Sequence, residues 1–132
     1  MDTYILGVSA FYHDSAAAII KNGDIIAAAQ EERFTRKKQD QSFPINAIRY
    51  CLQEADLDHV NEIHRIVYYE LPRLRFQRIL ETFRRCAPRG FSMFKQVVPM
   101  WVRNKIWVNQ IIREQLGFDG LIEYLEHHLA HA

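Results

Sequence analysis

Long apolar runs are missing from this 132-residue chain, and none approaches the ~18 residues a membrane-spanning helix needs. A helical span within this sequence is thereby excluded. Cysteine is scarce. Cys51 and Cys86 are too few and too widely spaced for a disulfide framework or a thiolate zinc site, so both are expected as free thiols. The start, Met1-Asp2-Thr3, lacks the basic residues of a secretory signal, and the cytoplasm is the expected compartment. Repeats and low-complexity segments are also absent, which leaves an ordinary globular domain. Apolar residues make up 48% and charged residues 25%, a balance that argues against disorder. A chain of this length can bury roughly two-thirds of the surface it exposes when unfolded, enough for one core.

The net charge of +1 hides an asymmetry. Between Glu70 and Arg113 stand ten Lys or Arg against two acidic residues, a local charge of +8 that leaves −7 elsewhere. Phe76, Phe83, Phe91, Phe94, Trp101 and Trp107 are interleaved with these cations. Such a block suits an anionic surface or an acidic partner. The aromatics recur at helical spacing, however, which favours a buried helix face over a nucleic-acid surface. We read about 70–117 as a basic helical insertion and a candidate surface for dimerisation, acceptor binding or contact with a further domain.

Tyr4 to Ser9 reads as a buried strand. Ala16 to Lys21, Asn22-Gly23 and Asp24 to Gln30 read as a hairpin, because both positions of an Asn-Gly turn tolerate positive φ. The polar stretch Ala10 to Ser15 lies between them and is the place to look for chemistry. Pro44 suits a helix first turn, and Ile45, Ile48, Leu52 and Ala55 then repeat at three and four residues, giving a helix that packs on the hairpin sheet. Ile63 to Tyr69 is a further strand. Leu71 to Phe83 forms a helix that ends before Pro88 and Gly90; Val98 to Leu116 forms another that ends at Gly117. Leu121 to Leu125 is a last strand leading into a histidine helix. The order is that of an α/β fold.

That final segment, Glu126-His127-His128-Leu129-Ala130-His131-Ala132, places two imidazoles at i and i+4. Residues so spaced stack on one helix face, so His127 and His131 are candidate ligands of one divalent metal, iron or zinc-like. A catalytic metal ordinarily takes a third protein ligand as well, often a carboxylate. No residue follows Ala132 to provide it, so the chain is expected to be a truncated piece of something larger. Paired histidines also occur on plain helix surfaces, which is the alternative reading.

Ile5-Leu6-Gly7-Val8-Ser9-Ala10-Phe11-Tyr12-His13-Asp14-Ser15-Ala16-Ala17-Ala18, then Ala29-Gln30-Glu31-Glu32-Arg33-Phe34-Thr35-Arg36-Lys37-Lys38, then the histidine segment, closely resemble the amino-terminal part of O-carbamoyltransferases of nodulation-factor and antibiotic biosynthesis. The resemblance implies an actin-like ATPase (ribonuclease H-like) half-domain, with a mixed sheet, flanking helices and residues 1–132 as the incomplete amino-terminal part of a catalytic domain. It further implies that carbamoyl phosphate and ATP with Mg give a carbamoyl adenylate, whose carbamoyl group passes to a hydroxyl of a small acceptor. His127 and His131 resemble the family's metal ligands, completed there by a later aspartate.

Within that scheme His13 is the candidate base, since imidazole titrates closest to the working pH, and Asp14 is a candidate to orient it. The anionic substrates need charge-assisted donors. Arg36, with its bidentate fork, and Lys38, with its point charge, are the candidate phosphate contacts, while Glu31 to Lys38 taken alone reads as a solvated charged run. The sequence departs from a simple sugar kinase of the same superfamily, because Leu6-Gly7-Val8-Ser9 lacks the Asp-x-Gly of the first strand. Gln39 stands where the resemblance leads one to expect a histidine or a similar residue. Two further readings stay open: a threonylcarbamoyl transferase acting on transfer RNA, and a non-catalytic piece that docks a partner.

Overall fold

The computed structural model describes residues 2–11, 14–69, 72–100 and 107–125. Strands β1 (Tyr4–Ser9), β2 (Ala16–Lys21) and β3 (Asp24–Gln30) form an antiparallel meander. Asn22 and Gly23 make its second turn with φ of 52° and 94°, the left-handed pair that Asn-Gly adopts at low cost. Asn22 also joins the turn to the chain start: its side chain accepts from Thr3 N and donates to Asp2.

A one-turn helix, α1 (Glu32–Thr35), follows β3, and α2 (Ile45–Glu54) follows Pro44. The chain then enters β4 (Arg65–Tyr68), which lies parallel to β1. After α3 (Pro72–Cys86), α4 (Phe91–Met100) and α5 (Val108–Leu116) comes β5 (Leu121–Tyr124), parallel to β4. Parallel neighbours require crossover connections, and helices supply both. The result is one five-stranded mixed sheet of order β3-β2-β1-β4-β5, with β1 at its centre.

Alternation along the strands divides the residues between two faces. Leu6, Val8, Ala17, Ile19, Ile66 and Tyr68 point to one side and are buried with Ala47, Ile48 and Cys51 of α2. Small residues let that helix come close: Cys51 Sγ lies 3.6 Å from the Ala17 carbonyl and 3.8 Å from that of Ala27. Val108, Ile112 and Phe118 join the same core. On the opposite face the partners in register are Gly7, Ala18, Ala28 and Val67, mostly small side chains.

The strands and α2 stand where periodicity placed them, within two residues. The expected helix over Val98 to Leu116 is corrected. The interruption lies at Trp107, whose φ of −97° and ψ of 22° leave helical geometry and start α5 afresh. Aromatic burial in the basic segment is also only partial: Val108 and Ile112 are in the core, whereas Phe91 is 59% and Trp107 49% exposed. The expected histidine helix falls outside the described residues. Among the described residues no helix is long and apolar enough to cross a membrane.

Candidate active site

Strand direction gathers the expected site segments at one edge of the sheet. β1, β4 and β5 run parallel, and two antiparallel steps bring β3 back to the same direction. The chain therefore leaves β1 at Ala10, β3 at Glu31, β4 at Tyr69 and β5 at Leu125 on one rim. In open sheets with helical crossovers this carboxyl-end rim is the usual place for ligands. Ser9, Ala16, Gln30, Arg33, Phe34, Tyr69 and Leu125 are among the residues lining an open groove there, with a volume of about 930 Å³. Its floor includes Gly7, Ala18 and Ala28.

Hydrogen bonds lock the segments after β1 and β3 together. Phe11 N donates to the Gln41 carbonyl at 2.9 Å and Ser15 N to the Asp40 carbonyl at 2.8 Å. Ser15 O in turn accepts from Glu31 N at 2.8 Å. At the end of β1 the Ala10 carbonyl accepts from Tyr68 Oη at 2.8 Å, with Tyr69 Oη at 3.4 Å. Both ends of the Ala10 to Ser15 stretch are thus fastened to their neighbours.

Two buried carboxylates organise this junction. Glu31, 1% exposed, accepts from Asn46 N at 3.2 Å, Asn46 Nδ2 at 2.7 Å and Ala47 N at 3.1 Å. A carboxylate placed there satisfies amides that a helix start leaves without partners and complements the helix dipole. Asp40, 8% exposed, accepts from Ser42 Oγ and Thr35 Oγ1, each at 2.6 Å, and from Ser42 N at 2.9 Å. These bonds, led by the Ser42 hydroxyl and followed by that of Thr35, hold its pKa below the usual aspartate value despite the opposing effect of burial. Stability from this depressed pKa is present above the unfolded value and is lost as pH falls through the folded one. The Ser15 hydroxyl, 1% exposed, has no hydrogen-bond partner among the described residues.

Backbone strain concentrates in the same two segments. Phe11, Asp14, Arg36 and Gln39 all have positive φ, at 67°, 51°, 64° and 55°. Non-glycine residues in this region store about 1–3 kcal/mol each, and such strain clusters at functional sites. The conformation is held by the surrounding bonds. Arg36 N donates to Glu32 O and Gln39 N to Glu32 Oε2, both at 2.9 Å. Gln39 thus contributes its backbone to the local polar network.

Of the candidates named from sequence, Asp14, Arg36 and Lys38 lie in these joined segments. His13, His127 and His131 lie outside the described residues. Among the described residues no group of three His, Cys, Asp or Glu side chains is placed to share a metal ion. Burial corrects the expectation that Glu31 belongs to a solvated run: its partners lie 15 and 16 positions away on α2. Asp40 and Ser42 are functional neighbours that the sequence reading does not single out, and Thr35 stands in it only as part of the second motif. The available signal was an acidic residue flanked by hydroxyls just before the Pro44 helix start.

The chain belongs to the carbamoyltransferase family: the family model described as the carbamoyltransferase N-terminus matches residues 4–132. It is 45% identical to the uncharacterized protein sll1178 of Synechocystis over 98% of this chain and 22% of that protein. It is also 27% identical to the nodulation protein NolNO of Sinorhizobium fredii over 92% of this chain and 17% of that protein. The uncharacterized protein MJ1051 of Methanocaldococcus jannaschii is 37% identical over 39% of this chain and 10% of its own length. The chain therefore spans about a fifth of the length of the first two relatives.

Proposed function

We propose that this chain is the amino-terminal part of an O-carbamoyltransferase that takes a carbamoyl group from carbamoyl phosphate, through an ATP-derived carbamoyl adenylate, to a hydroxyl of a small acceptor. The observation that carries the reading is the family match across residues 4–132. The junction of the Phe11 to Ser15 segment with residues 31–42 at the groove rim supports it. A hairpin meander followed by two parallel crossover strands also fits the actin-like ATPase half-domain we assign.

In this reading Arg36 and Lys38 neutralise the phosphate of carbamoyl phosphate, by charge-assisted hydrogen bonds that outweigh neutral ones. His13 accepts the proton of the acceptor hydroxyl as its oxygen bonds to the carbamoyl carbon and AMP departs. Asp14 orients that base. ATP arrives with Mg. His127 and His131 hold a divalent metal together with a carboxylate from elsewhere in the longer protein; such a metal supplies charge stabilisation to phosphate oxygens. The small groove floor serves substrate access: a Cβ on Gly7 meets nothing nearer than Ala18 O at 3.9 Å, so bulk there fills the groove without disturbing the sheet.

The test uses the full-length polypeptide with carbamoyl phosphate, ATP and a hydroxyl acceptor, product being read by mass. Arg36→Ala with Lys38→Ala is expected to raise KM for carbamoyl phosphate by about tenfold or more, the size of one lost charge-assisted contact. An unchanged KM in the double variant removes these residues from the phosphate site. Absence of carbamoyl transfer from the wild type refutes the function itself.

A further inference from the structure

α3 separates apolar from charged residues as cleanly as α2 and α5 do, yet no described residue of it joins the core. Phe76, Ile79, Leu80 and Phe83 recur at three and four residues and share one face. In α2 and α5 the matching face is buried, through Ala47, Ile48 and Cys51 in one and Val108 and Ile112 in the other. Among the described residues of α3 and α4 none is buried. Leu80 is 38% exposed and Phe91, at the start of α4, 59%. The rings of Phe83 and Phe91 meet at 6.3 Å, which sets Phe91 beside the apolar face.

Charge is arranged around that face. Arg78, Arg84, Arg85, Arg89 and Lys95 are exposed, and Glu81 is the one acid in residues 72–100. Arg85 occupies it, four residues on and 3.5 Å away. Arg84, one turn after Leu80, falls at the border of the apolar face, while Arg78 and Arg85 fall opposite. An arginine at such a border can lay its stem along apolar surface and keep its guanidinium in a polar layer.

Cations alone would suit a nucleic-acid backbone, and an apolar stripe alone would suit another helix. Their combination, a Phe, Ile and Leu face edged by arginine in a helix that is polar overall, is the pattern of a helix lying in a membrane interface. At 15 and 10 residues α3 and α4 are too short to cross the hydrocarbon, so contact is along the surface. Five exposed cations against one paired acid make an anionic leaflet the complementary partner, each Lys or Arg near it raising partition about fivefold.

We propose that α3 and the start of α4 form a membrane-docking surface: Leu80 and Phe91 enter the acyl boundary of an anionic bilayer, while Arg84, Arg89 and Lys95 meet lipid phosphates. Docking brings the enzyme to a lipid surface without spanning it. It goes beyond the transferase reading, and its assay needs no turnover, so the two stand or fall separately.

Flotation of the full-length polypeptide with phosphatidylcholine vesicles, with and without phosphatidylserine, is the test. Wild type is expected to float with the phosphatidylserine vesicles alone, and less as salt rises. Arg84→Gln with Arg89→Gln should lower partition about 30-fold. Leu80→Ser removes apolar area at constant charge and should lower it about fivefold or more. Unchanged thermal midpoints separate these losses from unfolding, and Phe91→Ser carries the same expectation if Leu80→Ser fails to fold. Wild type that floats with neither vesicle, as when a second copy or another part of the longer polypeptide covers α3, overturns the proposal. Equal flotation with both vesicles does so too, as does binding of transfer RNA in place of vesicles that Leu80→Ser leaves unchanged.

Discussion

Glu31 and Asp40 are the residues whose position in the sequence says least about their surroundings. Each sits in a charged, turn-rich stretch with the composition of a solvated loop, and each is withdrawn from water because its partners are complementary and fixed. Burying a carboxylate is costly unless several donors meet it, and here three do so in each case. Those donors come from α2 and from hydroxyls a few residues away, which pattern reading along the chain does not register. Cysteine gives the plainer case. Cys51 is fully buried, and burial pushes its thiol pKa up to about 11, whereas Cys86 is exposed. Since the thiolate is the reactive form, iodoacetamide at neutral pH should add one group to the native chain, at Cys86, and two after denaturation, counted by intact mass. Two adducts on the native chain would contradict the packing of α2 on the sheet.

Elements were legible in proportion to how local their causes are. The hairpin followed from Asn22-Gly23, and α2 from Pro44 with an apolar repeat, because turn chemistry and periodicity act over a few residues. The start of α5 at Val108 is hidden by apolar residues that continue in helical phase on either side of Trp107. The register of β1 with β4 could not be read at all, since parallel pairing depends on a crossover tens of residues long. The start of α2 offers a measurement. Its amides at Asn46 and Ala47 are satisfied by Glu31 in place of a side chain from the cap position. Glu31→Ala should therefore destabilise the fold by about 2–3 kcal/mol in urea unfolding, a lost cap plus buried donors left unpaired. A change under about 0.5 kcal/mol would mean that water serves those amides equally well.

For the whole molecule, the family was legible because its three motifs stand in order along the chain, and the match over residues 4–132 agrees with them. Asp14, Arg36 and Lys38 lie on segments that hydrogen bonds join, and the acids at that junction have no signature in the local pattern of the sequence. Given that the chain accounts for 22% and 17% of the lengths of two relatives, residues 1–132 by themselves are expected to give no carbamoylated product from carbamoyl phosphate and ATP. Turnover by this stretch alone, detected by mass of the acceptor, would show that these residues suffice.

The return of the chain into β5 is stapled by residues outside α3 and α4. Asn61 donates to Gly117 O and accepts from Asp119 N, and Arg113 grips the carbonyls of Phe118 and Gly120. Gly120 has no room for a side chain, since a Cβ would lie 2.5 Å from the Phe118 ring. Changes of length or charge within residues 72–100 are consequently expected to leave β5 in register with β4, because its staples lie at Asn61 and within residues 113–120.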